Sequence, residues 1–359
     1  MATCTLEKWA GIVVGAGLLL ACGTQGPPQP PRIEKPARVA DLAVTQVGRT
    51  LTLSFTLPVL AADGERLSKP LEIHILRTLA SPGQKPAEVA STGQPWVALL
   101  PGDLPGYARG QKIEYPIALS EQEFTQQVGS TFAFRVRGLT RGFRHRPITG
   151  ELSNQVEVGL LDVAGPVEGL EVKVAEHALE PAWTRPTRSL TGHPVANLAG
   201  YRVYKSKTGE PDSFLLLGET VAETYQDPDF AFKSAYSYKV RAVFKQDGQV
   251  AESEDSEVRK VIPLDTFPPA APTGLTGLFT AAQVELIWTA NTEPDLAGYN
   301  VYRRDNTGQA LRINHELLGT PIFRDTAVGR GQKYAYWVTA VDLAGNESKP
   351  SAEVEVQTQ

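Results

Sequence analysis

Leu198-Ala199-Gly200-Tyr201-Arg202-Val203-Tyr204 returns as Leu296-Ala297-Gly298-Tyr299-Asn300-Val301-Tyr302. Tyr236-Ser237-Tyr238-Lys239-Val240-Arg241-Ala242-Val243 returns as Tyr334-Ala335-Tyr336-Trp337-Val338-Thr339-Ala340-Val341, with the same offset of 98 residues. A more distant third copy is Phe132-Ala133-Phe134-Arg135-Val136-Arg137-Gly138-Leu139. All three alternate apolar with other side chains at period two. One set therefore lines a core face, the mark of a half-buried strand. Earlier strands of the same kind close on Trp183, Trp288 and, in Leu51–Leu57, on Phe55. Self-similarity at this period means one supersecondary theme folded three times.

Outward from the repeats, the chain divides into 38–160, 166–262 and 268–359. The brief junctions Leu161-Asp162-Val163-Ala164-Gly165-Pro166 and Leu264-Asp265-Thr266-Phe267-Pro268-Pro269 stand at equivalent places. Short, Pro-containing joints limit rotation, so the expectation is a stiff string of beads. Composition agrees with a turn-rich β chain, with Gly 32 and Pro 27 among 359 residues. With 42% hydrophobic residues the chain buries real cores and is not an acidic disordered solubiliser. The balance of 35 basic against 40 acidic side chains argues against a nucleic-acid partner, which needs a concentrated basic surface.

A strand ending in Trp, then Gly-Tyr-x-Val-Tyr, then Tyr-x-Tyr-x-Val-x-Ala resembles the fibronectin type III domain. The resemblance implies an all-β chain of three tandem immunoglobulin-like β-sandwiches without disulfides. It places a tyrosine corner on Tyr236 and Tyr334, each hydroxyl bonding backbone a few residues upstream, and the core tryptophan on Trp183 and Trp288. The first copy departs from the pattern, with Phe132 at the corner position and Phe55 in place of Trp. It also carries an insert across 79–130 in which Ser120-Glu121-Gln122-Glu123 reads as a capping box for a short helix.

The beginning of the chain supplies an address. Residues 10–21 are an apolar run of about a dozen, short of the roughly 20 a membrane-spanning helix needs and suited to a signal peptide. Leu19-Leu20-Ala21-Cys22-Gly23 resembles the lipobox of bacterial lipoproteins. That resemblance implies removal of a signal peptide at 1–21 and a covalent lipid on Cys22, with membrane attachment through it; no other cofactor is expected. Each buried methylene contributes about 0.8 kcal/mol, so several acyl chains hold durably. The other cysteine, Cys4, leaves with the signal peptide, so no disulfide forms within the mature chain. Residues 22–37, with Pro27, Pro28, Pro30, Pro31 and Pro36, form a semi-rigid tether. Gly23 stands where an Asp resembles inner-membrane retention in enteric bacteria, which favours the outer membrane of a bacterial cell envelope.

Catalytic patterns are sought without success. His74, His145, His177, His193 and His315 make no close ligand spacing, and no metal site is expected. His74 falls on an outward strand face and reads as a surface residue. No G-x-S-x-G elbow, P-loop or G-x-G-x-x-G occurs. The acidic pairs Glu293/Asp295 and Glu254/Asp255 fall in loops and read as solvated. Surface recognition remains. Arg141, Phe143, Arg144, His145 and Arg146 form a basic loop around one aromatic, suited to an anionic partner such as a lipid headgroup or an acidic protein. The leading expectation is a non-catalytic envelope lipoprotein serving as scaffold, adhesin or protein-interaction module. The alternative is a glycan-binding accessory to a separate hydrolase, whose aromatic platform would have to come from Trp96, Tyr107 and Tyr115.

Overall fold

The computed structural model describes residues 32–359. The signal peptide at 1–21, Cys22 and the tether as far as residue 31 lie outside the described residues. What is described is almost wholly β, arranged around three hydrophobic clusters. Alternation builds each of them. In the strand Thr50–Thr56, Leu51, Leu53 and Phe55 are buried while the residues between them are not. In Gln283–Thr289 the buried set is Val284, Leu286 and Trp288.

Each cluster lies between two sheets. Around the third, Thr273–Thr280, Gln283–Thr289 and Ile322–Asp325 face Ala310–Arg312, Leu296–Arg304, Lys333–Asp342 and Val354–Gln357. Around the second, Glu168–Val174 and Leu179–Thr184 face Leu215–Thr220, Leu198–Ser206, Tyr236–Gln246 and Arg259–Val261. Around the first, Thr50–Thr56 and Lys112–Ala118 face Glu72–Ala80 and Thr131–Arg141. The insert contributes the helix Glu121–Gln127, whose N-cap Ser120 makes both capping-box bonds with Glu123.

The repeated glycine before the repeated tyrosine has a geometric cause. Gly200 and Gly298 sit at φ 151° and 156°, where the pairing register with the neighbouring strand shifts. A Cβ there would lie 2.5 Å from Thr220 O and 2.7 Å from Leu318 O, so any side chain collides with backbone.

The string of beads needs correction at its first joint. Ala43–Val47 of the first sandwich pairs in parallel with Gln249–Glu252 of the second, Gln46 opposite Ala251 and Val47 opposite Glu252. One nine-stranded sheet therefore runs through both. The second sandwich reaches across with a hairpin that turns at Asp247-Gly248, both at positive φ as a two-residue turn requires. At the matching place the third sandwich has only the turn after Asp342. Gln46, buried in the joint, donates from Nε2 to Leu161 O at 2.8 Å and accepts from Leu161 N at 2.9 Å. Gly48 N donates to Glu252 O at 2.8 Å. Gln46→Ala strands both polar groups of Leu161, at a cost of about 1–3 kcal/mol. The expected readout is faster hydrogen exchange at the Leu161 amide, with amides inside both cores unchanged.

Candidate functional site

Inside the second and third sandwiches, polar groups repeat as faithfully as apolar ones. Tyr236 Oη accepts from Ala231 N at 2.9 Å, and Tyr334 Oη from Gly329 N at 3.0 Å. Two residues on, Tyr238 Oη donates to Asp227 at 2.5 Å and Tyr336 Oη to Asp325 at 2.9 Å. Lys205 Nζ lies 2.7 Å from Asp227, and Arg303 Nη1 lies 2.8 Å from Asp325. Burial, with the neighbouring carboxylate, pushes both phenols far above the ordinary tyrosine range and keeps them as donors. Trp183 and Trp288 are buried edge-on against Tyr201 and Tyr299, with ring centroids 5.1 and 5.2 Å apart. In the first sandwich Phe132 and Phe134 stack at 6.1 Å and carry no hydroxyl to pair with a carboxylate. These constellations are built largely of buried groups at the ends of core strands.

The outward faces of the equivalent sheets differ. The second sandwich carries a lattice of Arg202, Tyr204 and Arg241 with Glu219, Glu252 and Asp255. Burial favours the neutral acid at Asp255, but hydrogen bonds from Arg241 and Lys239 outweigh it and lower its pKa. The third carries Tyr302 and Trp337 in parallel, centroids 5.7 Å apart, with the Arg304 guanidinium 5.5 Å from the Trp337 ring. Sequence reading passed over this pair, although Trp337 stands between core positions on its strand. On the first, the insert covers the face. Val89 packs with Leu76 and Ala133, Glu88 pairs with Arg135 at 2.8 Å, and Arg137 donates to Ser91 O at 2.6 Å. His74 is thereby half-buried instead of on the surface, and desolvation lowers its pKa. Of the three residues of the expected aromatic platform, only Trp96 is exposed. Trp96 lies beneath the Arg77 guanidinium at 4.2 Å, while Tyr107 and Tyr115 meet edge-on and pack on the first core.

His177, His193 and His315 are exposed and apart from one another. Glu293 accepts from Ala270 N at 2.7 Å and so braces the start of the third sandwich. Asp295 joins Asp265 and Asp342 in a trio of carboxylates whose oxygens lie within 4.8 Å, the one grouping among the described residues with metal-like spacing. Both Asp342 oxygens already accept from Asn346, at 2.7 and 2.8 Å.

The basic loop has a definite shape. It caps the hairpin of Thr131–Arg141 and Pro147–Thr149, closed by Gly142 N to Arg146 O at 2.8 Å. Arg144 and His145 both adopt left-handed backbone, at φ 54° and 59°, a costly conformation for side-chain-bearing residues. Phe143 stands 80% exposed with the Arg144 guanidinium 5.3 Å from its ring. Arg141 turns back to Glu72 at 2.8 Å, so the structure groups Phe143, Arg144, His145 and Arg146 and sets Arg141 apart. Among the described residues no carboxylate pairs with Arg144 or Arg146.

Beside this hairpin runs the first described segment. Pro36 packs against Gly138 and Gly150, and Thr140 donates to Glu34 O at 2.6 Å. Arg32 clasps Asp63 at 2.8 Å, and that hydrogen bond holds the Asp63 carboxyl down at about 2.

No family model matches the chain. Exoglucanase B of Cellulomonas fimi is 32% identical over 183 residues, 49% of this chain and 15% of that protein. Chitinase Chi52 of Paenibacillus xylanexedens is 38% identical over 100 residues, 26% of this chain and 17% of the enzyme. The chain thus spans under a fifth of the length of these relatives. Among solved structures, an Fn3-like protein from Clostridium thermocellum is 33% identical, covering 26% of this chain and 96% of that one, with a TM-score of 0.23. The proteins this chain resembles thus include fibronectin type III domains. In fibronectin type III terms, Tyr236 and Tyr334 occupy the corner position, and the Asp227 and Asp325 ion pairs lie just behind it. The basic loop is then a hairpin tip at one end of the first fibronectin type III-like sandwich, where side chains vary without disturbing a core.

Proposed function

We propose that this chain is a non-catalytic scaffold of the bacterial cell envelope, lipid-anchored at Cys22 with the outer membrane favoured, which presents fibronectin type III surfaces to a protein partner. The observation that carries the reading is the continuous sheet through the first two sandwiches. A parallel strand pair and the doubly bonded Gln46 make a rigid body of two domains, the property a spacer or scaffold needs and a flexible linker array lacks. The relatives add that similar stretches form small parts of much longer proteins, as an accessory module does.

Fractionation of cells expressing the full chain tests the anchor. The wild-type chain is expected in the membrane pellet with its first peptide beginning at a diacylglycerol-modified Cys22, and Cys22→Ser in the soluble fraction. A soluble wild-type chain with a free Cys22 thiol contradicts the reading. The second reading, a glycan-binding accessory, is favoured by the relatives' names, an exoglucanase and a chitinase. Retention on insoluble glucan or chitin, lost in Trp96→Ala, selects it over the scaffold.

A further inference from the structure

The tip Phe143–Arg146 and the route of the chain toward Cys22 lie at the same end of the first sandwich. From Pro36 to Glu34 the segment advances along the strand from Gly138 to Thr140, which is toward the tip. It is pinned there by Arg32 to Asp63 and Lys35 to Glu151. Arg32 stands ten positions after Cys22 in sequence. At full extension that is about 33–36 Å of chain, and less when it is not taut. A lipid on Cys22 therefore keeps this end of the sandwich within a short, fixed distance of the bilayer surface.

We infer that the Phe143–Arg146 tip is a membrane-contact loop that rests on an anionic lipid surface. The inference depends on the proposed lipid anchor and goes beyond it, since an anchor alone leaves the domain free to tumble. Phe143 projects into solvent, and Ile33, on the segment that runs toward the tip, is 72% exposed, so two large apolar side chains are open to solvent on this part of the first sandwich. Arg144 and Arg146 flank Phe143 without a carboxylate partner among the described residues, and are thus available to lipid phosphates. An aromatic held at the interface by neighbouring cations is how a peripheral surface binds anionic lipid, and each cation near such a surface contributes about 1 kcal/mol. An acidic protein would need the cations but has no use for an unpocketed phenylalanine.

The test uses the full chain purified from membranes and reconstituted into vesicles of phosphatidylethanolamine with phosphatidylglycerol. A thiol-reactive fluorophore is placed at Phe143→Cys, or at Thr307→Cys in the third sandwich as the distant control. Quenching by nitroxide-bearing lipid is expected to be several-fold stronger at 143 than at 307. The difference should shrink when Arg144→Ala and Arg146→Ala are added, and in about 1 M salt, where the Debye length falls to about 3 Å. Equal quenching at 143 and 307 with the protein still vesicle-bound overturns the contact and leaves the anchor standing. Quenching at 143 that is indifferent to both arginines and to salt overturns the anionic-lipid assignment. The wild-type chain is labelled in parallel. Uptake of dye at Cys22 removes the anchor, and the contact loop falls with it.

Discussion

Asp227→Ala is expected to cost the second sandwich about 3–5 kcal/mol, because it leaves a cation buried without its partner. Asp227 is fully buried and answers three groups at once: Lys205 Nζ, Tyr238 Oη and the Asp229 amide. Lys205 also donates to Asp229 O, but a carbonyl does not neutralise its charge. Removal of the carboxylate strands the phenol and a largely buried ammonium with little access to water. Against the 5–15 kcal/mol that holds a typical domain together, such a loss is large. Calorimetry on the full chain should show the transition of the first two sandwiches falling, with that of the third unmoved. Restoring a shape-matched pair of apolar residues, Lys205→Met with Asp227→Leu, is expected to recover much of the stability, since the pair itself is worth far less than the penalty for breaking it. A single Asp227→Ala substitution with no effect would mean that Lys205 finds water in the folded state.

Trp288→Ala should be comparably severe and confined to the other end of the molecule. Trp288 is buried beside Val284 and Leu286 and meets Tyr299 edge-on. A truncation of this size in a packed core costs about 3–5 kcal/mol through lost burial and the cavity left behind. The third sandwich shares no strand pairing with the second, so the loss does not spread. Its transition should drop below that of the first two, separating by calorimetry and by proteolysis of the released strands. Trp288→Phe, which keeps most of the volume, should cost much less. The unpaired indole Nε1 adds nothing to lose in that exchange.

Much of this was legible because sandwich strands announce themselves by period two. Leu51, Leu53 and Phe55, or Tyr334, Tyr336 and Val338, read directly as core. The glycine of Gly-Tyr-x-Val-Tyr was visible as a repeat, but the backbone collision it avoids was not. Asp227 and Asp325 carried a signal that went unused, for they stand 98 residues apart, as do Lys205 and Arg303. A charged residue conserved within a repeat at a strand end invites the search for its partner. The weld between the first two sandwiches was not legible. It depends on Gln46 meeting Leu161 and on a hairpin of one domain reaching a strand of another. Such pairings between distant segments leave no local pattern, beyond the extra Gln246-Asp247-Gly248-Gln249 turn absent from the third copy. His74 failed as a surface residue for a related reason: the insert that covers it has no counterpart in the other repeats.

Limited proteolysis of membranes carrying the full chain, with a low-specificity protease, tests the central claim of an anchored rigid pair bearing a separate third domain. Leu160, Val163 and Ala164 at the first junction are buried, whereas Ile262 and Leu264 at the second are more than half exposed. Cleavage is therefore expected first within 262–267. The third domain should appear in the supernatant, and a fragment holding both earlier domains should stay in the pellet. A retained fragment that ends near 161–166, or the release of every fragment from the membrane, would contradict the account.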